Sequence, residues 1–228
     1  MIKAVFLDID GTLLDFDEYV RQSMREGFER FGIGTYSDGM FPIFNRVNSA
    51  LWQAHERGEL SFEDIKRDRW NLVFAALGLK GDGRAFEEYF RIALHDSAIP
   101  VDGAYEALEY LKGRYIMCTA SNGPFEQQMN RLEISDMKKY FDFFFISEKL
   151  GIQKPDPLFG EKAFAELKES GIVLNPDETV IIGDSMSSDM QLGRNCGMKT
   201  CLFDPKGKYE KPEVDMVINR LADISRIL

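Results

Sequence analysis

The sequence predicts an α/β protein, a doubly wound parallel sheet interrupted by an all-helical insertion. Three observations carry this expectation. Short apolar runs recur along the chain with helical patterns between most of them. A block near the N-terminus holds helical periodicity and no strand-like run. Polar residues able to do chemistry stand directly after several of the runs.

Residues 2–7, Ile-Lys-Ala-Val-Phe-Leu, are nearly continuous in apolar character and stop at Asp8, as a strand buried on both faces does. Similar runs follow at Tyr115–Thr119, Phe143–Ile146, Thr179–Ile182, Thr200–Phe203 and Met216–Ile218. Helical spacing appears between them, for example at Ala104, Leu108 and Leu111 and at Phe159, Ala163 and Leu167. Residues 16–97 break the rhythm with four amphipathic patterns. The first carries Val20, Met24, Phe28 and Phe31; the second Phe44, Val47 and Leu51. The third begins at Ser61, with Asp64 three residues on as in a capping box, and runs through Ile65, Val73 and Leu77 to Gly78. The fourth contains Phe86, Phe90 and Leu94. The expected organisation is a core of residues 1–15 and 98–228 with a helical cap at 16–97, placed to cover whatever the end of the first strand carries.

The chain of 228 residues, 44% hydrophobic, is long enough for one such domain with a smaller accessory one. Its net charge of −10, with no compensating Lys/Arg stripe, argues against a nucleic-acid polymer as partner. A small phosphorylated metabolite stays open, because a metal ion and a few placed cations reverse the potential inside a pocket. No apolar run reaches the roughly 20 residues of a membrane span, and the N-terminus has no secretory pattern, so no membrane partner and a cytoplasmic location are expected. The three cysteines, Cys118, Cys196 and Cys201, lie in or beside apolar segments and read as small buried thiols. His55 and His95 fall in the helical block, away from strand ends, and read as surface or packing residues. Nothing in the sequence signals self-association beyond a monomer or homodimer.

In open parallel sheets, ligands bind beyond the carboxyl ends of the strands. Four segments stand there in chain order: Asp8-Ile9-Asp10-Gly11-Thr12, Ser121-Asn122-Gly123, Lys154-Pro155, and Gly183-Asp184 continuing to Asp189. Each alone has an ordinary reading: a turn, a helix cap or a surface lysine. Together they gather four carboxylates, a hydroxyl and a lysine at one sheet edge. Clustered carboxylates repel one another, so the set implies a bound cation. Oxygen ligands without His or Cys point to a hard ion, Mg²⁺, which keeps open positions for water and a substrate phosphate. Such a site suits phosphoryl transfer.

These four segments resemble, in order and spacing, the motifs of the haloacid dehalogenase-like hydrolase superfamily, and the likeness spans nearly the whole chain. The helical insertion is similar to the small α-helical cap of that family's first type, and the sheet to its Rossmann-like core. Within the family the chain looks most similar to bacterial pyrimidine 5′-nucleotidases. The resemblance implies a Mg²⁺-dependent phosphomonoesterase in which Asp8 is the nucleophile and Asp10 the general acid and base. It implies that Mg²⁺ is held by Asp8, the Asp10 backbone carbonyl and Asp184. Ser121, with the backbone N–H of Asn122, would bind a phosphoryl oxygen, and Lys154 would neutralise charge on the nucleophile and phosphoryl group. Asp189 would orient Lys154 or a metal-bound water. Ser121 stands where many relatives have Thr, and Thr119 two residues earlier is the rival for that role; the adjacent Asn-Gly favours Ser121.

A sugar-phosphate or phosphoglycolate phosphatase, or a phosphomutase, would use the same core. A metal-free dehalogenase would not need Asp10, since halide leaves without a proton. A non-enzymatic binding protein would be expected to have lost at least one of these groups. The aromatic residues of the insertion, Trp52, Trp70 and Phe86 among them, read as core with base stacking as the rival role.

Overall fold

A computed structural model describes residues 1–228. In chain order, β1 (Ala4–Leu7) is followed by α1 (Phe16–Arg30), α2 (Phe41–Glu56), α3 (Phe62–Leu77), α4 (Gly83–His95) and α5 (Ala104–Leu111). Then come β2 (Ile116–Ser121), α6 (Phe125–Ile134), β3 (Phe143–Ile146), α7 (Ser147–Leu150) and α8 (Pro157–Glu169). The chain ends with β4 (Thr179–Gly183), α9 (Asp189–Cys196), β5 (Lys199–Phe203), β6 (Met216–Ile218) and α10 (Ile224–Ile227). Two compact units result: Met1–Asp15 with Ala98–Leu228, and Phe16–Ser97.

The first unit is a six-stranded parallel sheet in the order β3-β2-β1-β4-β5-β6. Alternate side chains of each strand point to opposite faces, and both faces are apolar. Val5 and Leu7 join Val180, Ile182 and helix residues Leu108 and Leu111 in one cluster. Ala4 and Phe6 join Phe145, Ile181 and the α8 residues Phe159 and Ala163 in the other. Fully burying each large apolar side chain contributes about 1.5–3 kcal/mol, which is why the strands read as unbroken apolar runs. The chain moves outward from β1 to β2 and β3, then returns across β1 to β4. That reversal sets a crevice at the carboxyl ends of β1 and β4, the position where doubly wound sheets bind ligands.

β2 runs two residues further than its apolar run suggests, to Ser121, because Ala120 and Ser121 pair with Phe145 and Ile146 of β3. β1 is shorter than the run 2–7, beginning at Ala4.

The second unit is helical throughout. The α3 start is a capping box in which Ser61 and Asp64 exchange hydrogen bonds, and its end is Gly78 in the left-handed conformation. Trp70 and Phe86, both with no exposed surface, sit in the middle of an aromatic core, their ring centroids 4.3 Å apart and Phe44 5.1 Å from Trp70. They are therefore packing residues and not a stacking platform. Two helix-face expectations need correction. Phe31 lies one residue past α1 and is partly exposed, and Asn48, not Val47, is the buried residue of its α2 turn. Asn48 goes in because Arg69 of α3 is buried there and needs an acceptor: its guanidinium pairs with Glu87 of α4 and donates to Asn48 Oδ1 at 3.3 Å. No helix is long and apolar enough to cross a membrane.

Candidate active site

The site begins at the end of β1. The Asp8 N–H donates to the Ile182 carbonyl of β4 at 3.0 Å, so the strand ladder itself fixes where this carboxylate emerges. Its Oδ1 accepts from Lys154 Nζ at 2.9 Å and its Oδ2 from Thr12 Oγ1 at 3.3 Å. Gly11 is left-handed at φ +85°, and a Cβ there would fall 2.7 Å from Oδ2 of Asp184, so glycine lets the turn after β1 pass against the carboxylate after β4.

Lys154 is 1% exposed, and its ammonium uses all three hydrogens: on Asp8 Oδ1, on Asp189 Oδ1 at 2.5 Å and on the Ala120 carbonyl at 2.5 Å. Burial lowers its pKa, but the carboxylates of Asp189 and Asp8 outweigh this and hold the lysine charged. Asn122 positions it from behind. The Asn122 Oδ1 accepts from the Lys154 backbone N–H at 2.8 Å, and Nδ2 donates to the Lys154 carbonyl at 2.9 Å. Asp189 also accepts from the Ser185 N–H at 3.1 Å, which ties it to the loop that carries Asp184.

Ligand oxygens of Asp8, Asp184 and Asp189 lie within 4.8 Å of one another. Burial pushes the Asp8 carboxyl well above the usual range; Lys154 opposes that, and Asp189 and Asp184 add to it. Three carboxylates this close repel one another, and a divalent cation among them would offset that repulsion. The donor set is oxygen only, and hard ions such as Mg²⁺ suit it. These residues fit a divalent cation on chemistry alone.

Ser121 closes β2, and its Oγ accepts from Gln128 Nε2 at 2.8 Å. Thr119, one strand repeat earlier, is fully buried with its Oγ1 accepting from the Phe145 N–H at 3.1 Å, so it serves the sheet. The Asp10 side chain turns toward α6. Oδ1 accepts from Arg131 Nη1 at 2.5 Å and Oδ2 from Gln128 Nε2 at 2.7 Å. Asp8, Asp184, Asp189 and Lys154 thus form one cluster, and Asp10 and Ser121 are joined to each other through Gln128. Gln128 and Arg131 do not appear in the sequence reading. They lie inside an unremarkable helical pattern, and their only local signal is the i, i+3 spacing that puts both on one face, just after the Ser121-Asn122-Gly123 turn.

The sequence profile of the haloacid dehalogenase-like hydrolases matches residues 2–197. The chain belongs to that family. As a haloacid dehalogenase-like hydrolase it is an enzyme, and it is 31% identical over 207 residues to the pyrimidine 5′-nucleotidase PynA of Streptococcus pneumoniae, covering 89% of this chain and 84% of PynA. It is 28% identical to the pyrimidine 5′-nucleotidase YjjG of Escherichia coli, over 92% of this chain and 88% of YjjG. The crystal structure of YfnB from Bacillus subtilis, determined bound to magnesium, superposes with a TM-score of 0.89 at 27% identity, covering 100% of this chain and 98% of YfnB.

Proposed function

We propose that this hydrolase is a Mg²⁺-dependent phosphomonoesterase acting on a small phosphorylated metabolite, a nucleoside 5′-monophosphate, through an aspartyl-phosphate on Asp8. The observation that carries the reading is the close group of Asp8, Asp184 and Asp189, with Asp8 and Asp189 buried on the Lys154 ammonium, an oxygen donor set that suits a divalent cation and a phosphate. The nucleotide substrate is supported by the likeness to PynA and YjjG.

Asp8, Asp184 and the backbone carbonyl of Asp10 would hold the cation, with Asp189 held back by Lys154. Bound there, Mg²⁺ supplies charge neutralisation for phosphate and carboxylate in close approach. In the first step an Asp8 carboxylate oxygen attacks phosphorus, the bond from phosphorus to the ester oxygen breaks, and Asp10 gives its proton to the departing alkoxide. In the second, water attacks phosphorus, Asp10 takes the proton, and the bond from phosphorus to the Asp8 oxygen breaks to release orthophosphate. Lys154 keeps one charge beside the nucleophile throughout, in a buried setting where that charge acts most strongly. Ser121 and the Asn122 N–H donate to phosphoryl oxygens.

Chain connectivity supports a capping role for the helical unit, which starts at Phe16, soon after Asp8 and Asp10. YfnB bound to magnesium is described as showing interdomain movement.

The test is phosphate release from nucleoside monophosphates, sugar phosphates and phosphoglycolate, with Mg²⁺ and with EDTA. Mg²⁺-dependent release led by pyrimidine monophosphates is expected. Release led by sugar phosphates would overturn the substrate and keep the chemistry; release from none would end the phosphomonoesterase reading.

A further inference from the structure

Gln128 and Arg131 are polar, yet each is only 1% exposed. Both polar ends turn to the reactive edge. Arg131 Nη1 donates to Asp10 Oδ1 at 2.5 Å and to Gln128 Oε1 at 3.0 Å. That second bond settles the Gln128 amide, because only its oxygen can accept from a guanidinium. Nε2 is then forced to the other side, where it donates one hydrogen to Asp10 Oδ2 at 2.7 Å and the other to Ser121 Oγ at 2.8 Å.

Two consequences follow from donor and acceptor arithmetic. Each oxygen of Asp10 receives one fixed donor on its buried side, while the side chain keeps 29% of its surface open. The carboxyl is therefore aimed without being enclosed. Ser121 Oγ already accepts from Gln128, so its own hydrogen is directed to a different acceptor. In a phosphate site, that acceptor is a phosphoryl oxygen.

We propose that Gln128 and Arg131 are positioning residues for the reaction. Gln128 holds the acid Asp10 and the phosphate-binding Ser121 in one register, and Arg131 locks the Gln128 amide in the orientation this needs. The proposal rests on the phosphomonoesterase reading above. A buried arginine without its partner is costly, so Arg131 also keeps Asp10 from turning away.

The test is a mutant cycle with an alkyl phosphomonoester such as glycerol phosphate, joined to orthophosphate binding by calorimetry in Mg²⁺. Loss of an outer partner of this kind typically costs about 10- to 100-fold, and that drop in kcat is expected for Arg131→Met. In an Asp10→Asn background the same substitution should cost less than about threefold, since the group it positions is gone. Arg131→Lys should recover part of the loss, keeping the charge but not the planar guanidinium whose Nη1 reaches Asp10 and Gln128 together. Gln128→Met, nearly equal in volume, should weaken orthophosphate binding by about 3- to 10-fold, the scale of one undirected hydrogen bond. Equal losses from Arg131→Met in both backgrounds, following a fall in melting temperature, would show a packing role and overturn the proposal. If Arg131→Met does not fold, Gln128→Met decides: unchanged orthophosphate affinity overturns it. This binding arm needs no turnover, so a wild-type chain inert toward every ester would sink the phosphomonoesterase reading while the role of Gln128 at Ser121 is still judged.

Discussion

Gly183, the last residue of β4, lies against the carboxylate of Asp189 so closely that a Cβ on it would stand 2.2 Å from Oδ2. Asp189 in turn holds Lys154 and the Ser185 N–H. The absence of one methyl group therefore sets the position of the buried ammonium beside Asp8. Gly183→Ala must push Asp189 aside, and overpacking of this kind costs about 1–3 kcal/mol. The expected result is a lower melting temperature together with a fall in kcat of about tenfold or more, as Lys154 loses one of its three acceptors. Unchanged kcat in a destabilised variant would show that Asp189 relaxes without moving the lysine.

Asp8→Asn removes the oxygen that forms the acyl phosphate while keeping the shape of the side chain. Turnover should fall to background with every phosphate ester, and no phosphorylated protein should accumulate in a rapid-quench experiment. Lys154 would keep Asp189 and the Ala120 carbonyl as acceptors, so the fold should persist. Retained phosphate release would remove Asp8 from the role of nucleophile.

The pH response of the metal-free chain follows from Asp8. Burial raises its carboxyl well above the ordinary value, against Lys154 and with Asp189 and Asp184. The folded state then binds this proton more tightly than the unfolded state does. The proton's contribution to stability is complete below the unfolded value of about 4 and is lost as pH rises through the raised folded value. Under the proposed function, a divalent cation bound at Asp8 would take over the proton's task at higher pH. Mg²⁺ should raise the melting temperature more at pH 8 than at pH 5, measured against EDTA by thermal unfolding. An equal rise at both would mean that proton and metal do not compete at Asp8.

In the helical unit, Arg69 Nε donates to Glu87 Oε2 at 2.9 Å in a pair that is about 5% exposed on each side, and Arg69 lies 4.7 Å from the centre of the Phe90 ring. Burial raises the Glu87 carboxyl while Arg69 holds it down. Arg69→Met leaves an unpaired buried acid, and breaking such a pair costs about 3–5 kcal/mol. Adding Glu87→Leu should return much of that stability, as read by urea denaturation. A double variant no more stable than Arg69→Met would show that the loss is one of packing.

The four chemical segments were legible because each is local. A carboxylate, hydroxyl or lysine at the end of an apolar run is visible without knowing its partners, and a parallel sheet brings all such ends to one edge. Asn122 was legible as a candidate residue just after β2 but not as the clamp on the Lys154 backbone, since that contact joins positions 32 apart. Gln128 and Arg131 were not legible. A glutamine and an arginine three apart on a helix look like a solvated face, and only their 1% exposure shows otherwise.

The sequence by itself determined the element types, the break in rhythm at residues 16–97, the capping of α3 and the candidate carboxylates Asp8, Asp10, Asp184 and Asp189 at the strand ends. Those follow from periodicity, caps and residue chemistry, which act over a few positions. The tertiary structure alone decided which acceptors Lys154 binds, which way the Asp10 carboxyl turns, why Gly183 must be glycine, and that Trp70 and Phe86 are core. These depend on the order in which the strands assemble and on contacts between residues far apart in the chain. Such contacts leave no mark in local composition, because the side chain at each end is an ordinary choice for its own helix or strand.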